Sequence, residues 1–174
     1  TANKENVEYY FTESIKYLER TPGKLARVKL VNNYFNVGFY YYFDRNYQQA
    51  IVFFKKFLEN KPSFSVHMLY ILHCTEETKC EEMFQLLQNI DLGDRSCYQI
   101  NDVFFRYFKM KLNHKNEKYL ENFILNEVKE VLATRFRSDN LIAYFENELS
   151  KIAKITKHYK SIASFNNFIS HKID

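Results

Sequence analysis

The sequence predicts an all-α protein, a right-handed superhelix of eight or nine helices in antiparallel pairs, and three observations carry that prediction. Apolar residues recur at steps of three and four along nearly the whole 174-residue chain, the spacing of amphipathic helices rather than of alternating strands. Glycine and proline together fill only five positions, too few for the tight turns of a hairpin-rich fold. The stretch Val31–Pro62 has the internal order of a helix pair and returns in degenerate form near the C-terminus, which marks a repeat architecture. The length suits one domain over residues 1–174, with 46% hydrophobic residues to fill its core.

Each element has its own signal. Phe11, Ile15 and Leu18 define a leading helix within residues 1–22, ended by Pro22 and Gly23, the strongest break in the chain. A second helix over Lys24–Phe43 and a third over Tyr47–Asn60 are joined by a turn at Asp44–Asn46. Pro62 and Ser63 open a fourth helix to about Cys74, and Lys79–Ile90 makes a fifth. Asp91–Ser96 reads as a turn, with Asp94 or Ser96 as the N-cap of the next helix. Two long helices, about Tyr98–Leu112 and Glu117–Leu132, complete a region of degenerate pairs over residues 63–135. Arg137–Asn140 caps a last degenerate pair over residues 138–171, with helices at about Leu141–Lys157 and Tyr159–Ser170. No segment reads as a strand or a linker.

Eleven aromatic rings fall between Tyr34 and Phe57, and their order is informative. Counted from Val31, a large aromatic stands at Tyr34, an apolar residue at Val37, a small one at Gly38 and an aromatic at Tyr41. The partner helix places a small residue at Ala50, an aromatic at Phe54 and a closing proline at Pro62. This is the pattern of a tetratricopeptide repeat of about 34 residues; Phe57 departs from it, being large where a small residue is usual. Gly38 and Ala50 are expected to face each other where the helices cross, since a larger side chain would push the axes apart. Tyr34, Tyr41 and Phe54 fill the space beside them, at about 1.5–3 kcal/mol for each fully buried ring. The rings therefore read as mortar between helices rather than as a cofactor box. His158–Ile169 repeats the second-helix pattern, with Ser161, Phe165 and Phe168 standing for Ala50, Phe54 and Phe57, while Phe145 and Ile152 stand for Tyr34 and Tyr41. That spacing supports about four stacked pairs, a tetratricopeptide-like solenoid whose concave face is lined by the first helix of each pair.

The full repeat, the degenerate last pair and the long irregular pair between them resemble the C-terminal repeat region of the peptide (quorum-sensing) receptors of Gram-positive bacteria and their phages, the family that includes the Rap phosphatases and NprR. The similar order covers roughly Lys24–Ile169. The resemblance implies a domain that holds a short signalling peptide in its groove. It implies neither phosphatase activity nor DNA binding, which in that family reside in N-terminal domains without a counterpart here.

An extended peptide exposes a backbone amide about every 3.3–3.6 Å, and a side-chain amide can both donate to it and accept from it. Asn33 and Asn36 lie at i, i+3 on the first helix of the repeat, and Asn36 is four residues before Tyr40. In tetratricopeptide domains that clamp peptides an asparagine often occupies the position matching Asn36; otherwise it is a solvated helix-face amide. Phe39 and Phe43 lie near the same line, as anchors for apolar side chains or as contacts with the neighbouring repeat. Asp102 and Arg106, four apart, are either a surface pair worth a few tenths of a kcal/mol or groove charges that fix the polarity of a peptide.

Other chemistry finds no support. His73 and Cys74 are adjacent and so point about 100° apart on a helix, which does not place them for proton transfer. His67, His73, His114, His158 and His171 are scattered, with no HExxH, no CxxC and no pair at i, i+4. Cys74, Cys80 and Cys97 read as small hydrophobes, and three glycines are too few for a phosphate-cradling loop. No catalytic residue, metal ligand or cofactor site is therefore expected, and the chain does not read as an enzyme. The formal charge of +4 comes from 25 basic and 21 acidic residues spread through the chain, so nucleic acid is disfavoured as a partner, the Lys-rich segments Lys109–Lys118 and Lys154–Lys160 being its only support. The unpaired cysteines and the absence of a leader or a long apolar run point to a cytoplasmic location with no membrane span. The function these features indicate is a non-enzymatic module recognising a peptide or protein segment in a concave groove, as the receptor portion of a bacterial or phage signalling regulator. The alternative is a structural adaptor or dimerisation protein that uses its convex face or terminal helix, and a homo-oligomer is open to either.

Overall fold

The computed structural model describes residues 2–93 and 99–171, and all regular structure among them is helical. A first helix α1 (Ala2–Arg20) is followed by α2 (Lys24–Phe43) and α3 (Tyr47–Leu58). Gly23, the residue before α2, has φ +107°, a conformation that side chains other than glycine's rarely adopt. At the α2–α3 turn Arg45 is left-handed (φ 58°), and the Asn46 side chain caps α3 by accepting from the Gln49 N–H at 3.3 Å.

The fourth helix differs from expectation. It begins at Met68 rather than at Pro62–Ser63, and runs to Thr78 as α4. Lys61 turns left-handed, and the following residues form no regular structure up to a turn at Val66–His67, burying Phe64 and Val66 two apart, which is not the spacing of one helix face. A short α5 (Glu81–Gln88) follows. The expected N-caps Asp94 and Ser96 and the helix start at Tyr98 lie outside the described residues, as does the side chain of Cys97. Further helices are α6 (Gln99–Leu112) and α7 (Glu117–Phe123), which continues through a π-helical turn (Ile124–Val128) into α8 (Lys129–Thr134). Leu120, Ile124, Val128 and Leu132, all buried, follow one another in steps of four. That step exceeds the 3.6-residue α period, and the wider i→i+5 turn absorbs the excess so that all four face inward. The last pair is α9 (Asp139–Thr156), capped by Ser138, and α10 (Lys160–His171).

The described residues fall into two compact units. The first holds those up to Ser63 together with His67–Asp91, the second Phe64–Val66 and those from Leu92 onward. In the first, α2 packs against both α1 and α3, and α3 against α4 and α5. Ile15, Tyr34 and Val37 form its central cluster, with Phe11, Leu30, Tyr41, Phe53 and Phe57 around them. Ala50 and Phe54 are fully buried in α3. The partner that Gly38 meets is the ring of Phe54.

In the second unit Phe104, Tyr107 and Phe145 are fully buried, the Phe145 ring lying 5.0 Å from Tyr107 and 6.1 Å from Phe104. Phe64 fits against Phe105 and Phe108. Ser161 and Phe165 are buried as well. Among the described residues no helix is long and apolar enough to cross a membrane.

Candidate functional site

Three sides of α2 are occupied by neighbours, and the fourth is not. Toward α1, Asn33 Nδ2 donates to Ser14 Oγ at 2.7 Å and the Tyr40 ring rests 5.8 Å from that of Phe11. Toward α3 lie Tyr34, Val37, Gly38 and Tyr41, the last stacked on Phe53 at 5.8 Å. On a third side Phe39 is surrounded by Phe35, Tyr42, Phe43, His67 and Tyr70, with centroids 4.6–6.2 Å away. The His67 imidazole is crowded by this group, and the loss of hydration holds its pKa below the ordinary histidine value.

What remains is a narrow strip. At 100° per residue, Leu25, Asn32, Asn36 and Phe43 fall within about 40° of one another. All four are exposed, Leu25 by 69% and Phe43 by 54%. Asn36 makes no hydrogen bond to another described residue. From Leu25 to Phe43 the strip is about 27 Å long at 1.5 Å per residue, with an apolar residue at each end and two amides between.

The expected site residues thus separate. Asn36 and Phe43 lie on the open strip and half-buried Phe39 borders it. Asn33 and half-buried Tyr40 are engaged with α1. Asp102 and Arg106 stand in the second unit, paired at 3.0 Å; the guanidinium also reaches Glu127 at 2.6 Å and covers the Phe123 ring at 5.2 Å, which ties α6 to the 117–134 stretch. The sequence pattern did not single out Leu25 and Asn32, although Asn32 lies about one turn and Leu25 about three turns of helix from Asn36 on the same side.

Three polar clusters also escaped the sequence reading. His73, buried on α4, stands with Nδ1 2.7 Å from the Tyr42 hydroxyl and Nε2 3.3 Å from a Glu77 oxygen. Buried Glu148 accepts from the Tyr107 hydroxyl at 2.9 Å and from Lys111, with Lys151 at 3.5 Å. Buried Glu121 accepts from Ser161 Oγ and from His158 Nδ1, the latter at 2.9 Å. This last trio contains a serine, a histidine and an acid, but both donors converge on one carboxylate oxygen. The imidazole does not stand between serine and acid, which acyl transfer requires. Burial pushes the Cys74 thiol up to about 12, far from the thiolate that nucleophilic chemistry needs, and its Sγ lies 3.5 Å from the Tyr47 carbonyl. Among the described residues no three His, Cys, Asp or Glu side chains are grouped to hold a metal ion.

The fold and this face define a class, an all-helical protein whose first unit presents a strip of amides and apolar tips on its central helix. Comparison with protein-family models, with curated proteins and with solved structures finds no match for the chain.

Proposed function

We propose that the chain is a non-enzymatic binding module that recognises an extended peptide or protein segment along the open face of α2. In this reading the helix pairs continue as a right-handed, tetratricopeptide-like superhelix with α2 on its concave side, and the module is the receptor portion of a cytoplasmic bacterial or phage signalling regulator. The observation that carries it is the exposed strip Leu25–Asn32–Asn36–Phe43. An amide without an internal partner can bond a peptide backbone without reading its sequence, and the flanking apolar tips can hold side chains. A strip of about 27 Å suits roughly eight residues of extended chain.

Selection from a displayed library of random linear peptides, followed by amide-shift mapping of a selected peptide on the protein, tests the reading. Shifts clustered on α2 around Asn36 support it. Absence of any selected binder, or shifts confined to other helices, sinks it. The adaptor reading draws on a different observation, the exposed Tyr9, Tyr10 and Tyr17 of α1, at 62%, 70% and 70%. Tyr10 and Tyr17 are seven apart on one face of that helix. Sedimentation that shows a dimer lost on Tyr10→Ser/Tyr17→Ser would favour it.

A further inference from the structure

His158 stands in the short connection between α9 and α10 of the second unit, its side chain 57% exposed, and its partner Glu121 on α7 is 6% exposed. Nδ1 lies 2.9 Å from Glu121 Oε1, and Ser161 Oγ donates to the same oxygen. An ionised carboxylate can only accept, so Nδ1 carries the ring proton and, in the neutral imidazole, Nε2 carries the lone pair. Nε2 makes no hydrogen bond to another described residue. The ring is fixed through one nitrogen by a buried acid and open to solvent at the other.

The charge around it has one sign. From Leu149 to Ile173 the sequence holds five lysines and no Asp or Glu. Lys154, Lys157 and Lys160, all within four residues of His158, are exposed and pair with no carboxylate of another described residue. Helix α10 begins two residues after His158 with no acid in its first turn, so the positive end of its dipole adds to theirs. A metal cation at Nε2 would meet this field unfavourably, whereas an anion is drawn in by it. The open lone pair is a nucleophile, so the group that suits both is an electrophile carried on anionic oxygens. We propose that His158 is a phosphoryl-acceptor site, modified at Nε2 by a small acyl phosphate. The lone pair forms the N–P bond as the P–O bond to the acyl oxygen breaks, and the carboxylate leaves with that electron pair. Nδ1 keeps its proton, so the ring becomes a phosphoimidazolium whose new positive charge faces the Glu121 carboxylate. The site is in the other unit from the α2 strip, and the inference goes beyond the function proposed above and does not depend on it.

Incubation of the full chain with acetyl phosphate, followed by intact mass, peptide mapping and phosphorus NMR, tests it. The adduct should be labile in acid and stable in alkali, map to His158 and sit on Nε2. It should form about tenfold or more faster than at His114, which is exposed and has no carboxylate partner among the described residues. Glu121→Gln keeps an oxygen that accepts from both donors, so the fold should survive while the rate falls about tenfold or more. Lys154→Gln/Lys157→Gln removes no internal contact and should also slow the transfer, as should added salt. No adduct at His158, an adduct on Nδ1, a rate no greater than at His114, or an undiminished rate in folded Glu121→Gln would each overturn it. Saturable amide shifts at His158 from inorganic phosphate without any transfer from acetyl phosphate would overturn it too, leaving a reversible anion site only. If circular dichroism shows that Glu121→Gln does not fold, the Nε2 position and the rate ratio to His114 in the parent protein decide.

Discussion

The ring of Phe54 stands where a Cβ on Gly38 would be: an ideal Cβ there would lie 2.5 Å from Cδ1 and 2.6 Å from Cε1. Real Cβ atoms essentially never approach carbon so closely, so one side must move. Phe54 is fully buried, and a packed core gives little. Gly38→Ala would recover about 1 kcal/mol of helix propensity, but overpacking of about 1–3 kcal/mol should outweigh it. Urea midpoints should fall for Gly38→Ala and further for Gly38→Leu. In a Phe54→Leu background, where the ring is gone, the cost of Gly38→Ala should shrink or reverse. Equal costs in the two backgrounds would show that the ring does not set the glycine.

Gly38 also shows how far the sequence was legible. Its position in the repeat pattern marked it as a small residue at a helix crossing and put the Phe54 ring among those beside it, but spacing along one helix cannot say how closely that ring approaches. The helices themselves followed from periodicity, the start of α2 from the break at Pro22–Gly23 and that of α3 from the turn at Asp44–Asn46, while α9 begins at Asp139, two residues before the expected Leu141. The fourth helix did not, because a proline can begin a helix or hold an extended segment and only the burial of Phe64 and Val66 decides. Glu148 was readable in principle: it falls among Leu141, Tyr144, Phe145, Leu149 and Ile152 on the apolar side of α9, and an acid there demands a buried partner. That the partners would be Tyr107 and Lys111 depends on α6 lying against α9, which no local pattern gives.

Glu148 is 3% exposed in its side chain and Lys111 12%. Burial by itself pushes the carboxyl up, but the charge and hydrogen bond of Lys111, with Lys151 and Tyr107, together hold Glu148 below its ordinary value. A carboxyl depressed in the folded state contributes stability above its unfolded pKa of about 4.3, and that contribution is lost as pH falls through the folded value. Glu148→Gln takes the buried carboxylate away from Lys111 and Lys151, so it should cost about 3–5 kcal/mol at neutral pH. The gap between the two proteins, read from urea unfolding, should narrow below about pH 4.3. A gap constant across the acid range would contradict the pairing.

Tyr34 and Tyr70 should titrate late. Burial raises Tyr34 to about 12, helped by its hydrogen bond to Glu19 at 3.0 Å, and burial alone raises Tyr70 to about 12. The neutral phenol is the favoured form in the fold, so the associated stability is complete below the unfolded value of about 10 and is lost as pH rises toward about 12. Near-ultraviolet absorbance should show a late ionisation step, and that step should shift to lower pH in Glu19→Gln. A single step for all tyrosines with the fold intact would refute the burial of these two.

Asn33 and Asn36, three residues apart on one helix, should respond oppositely to the same substitution. Asn33 holds Ser14 of α1 at 2.7 Å, and losing a partly buried side-chain bond of that kind costs about 0.5–1.5 kcal/mol. Asn33→Ala should therefore lower the melting temperature and leave a peptide selected on α2 bound nearly as before. Asn36 is exposed and makes no such bond, so Asn36→Ala should be within about 0.5 kcal/mol of the parent in stability. Its loss should appear in binding instead, as a three- to tenfold or somewhat larger rise in Kd, the equivalent of about 0.5–1.5 kcal/mol. Thermal unfolding and calorimetric titration of both variants with one selected peptide separate the two roles. Equal affinity for parent and Asn36→Ala would leave the amide a solvated group on an open face, and the strip would then have to act through Leu25 and Phe43 alone.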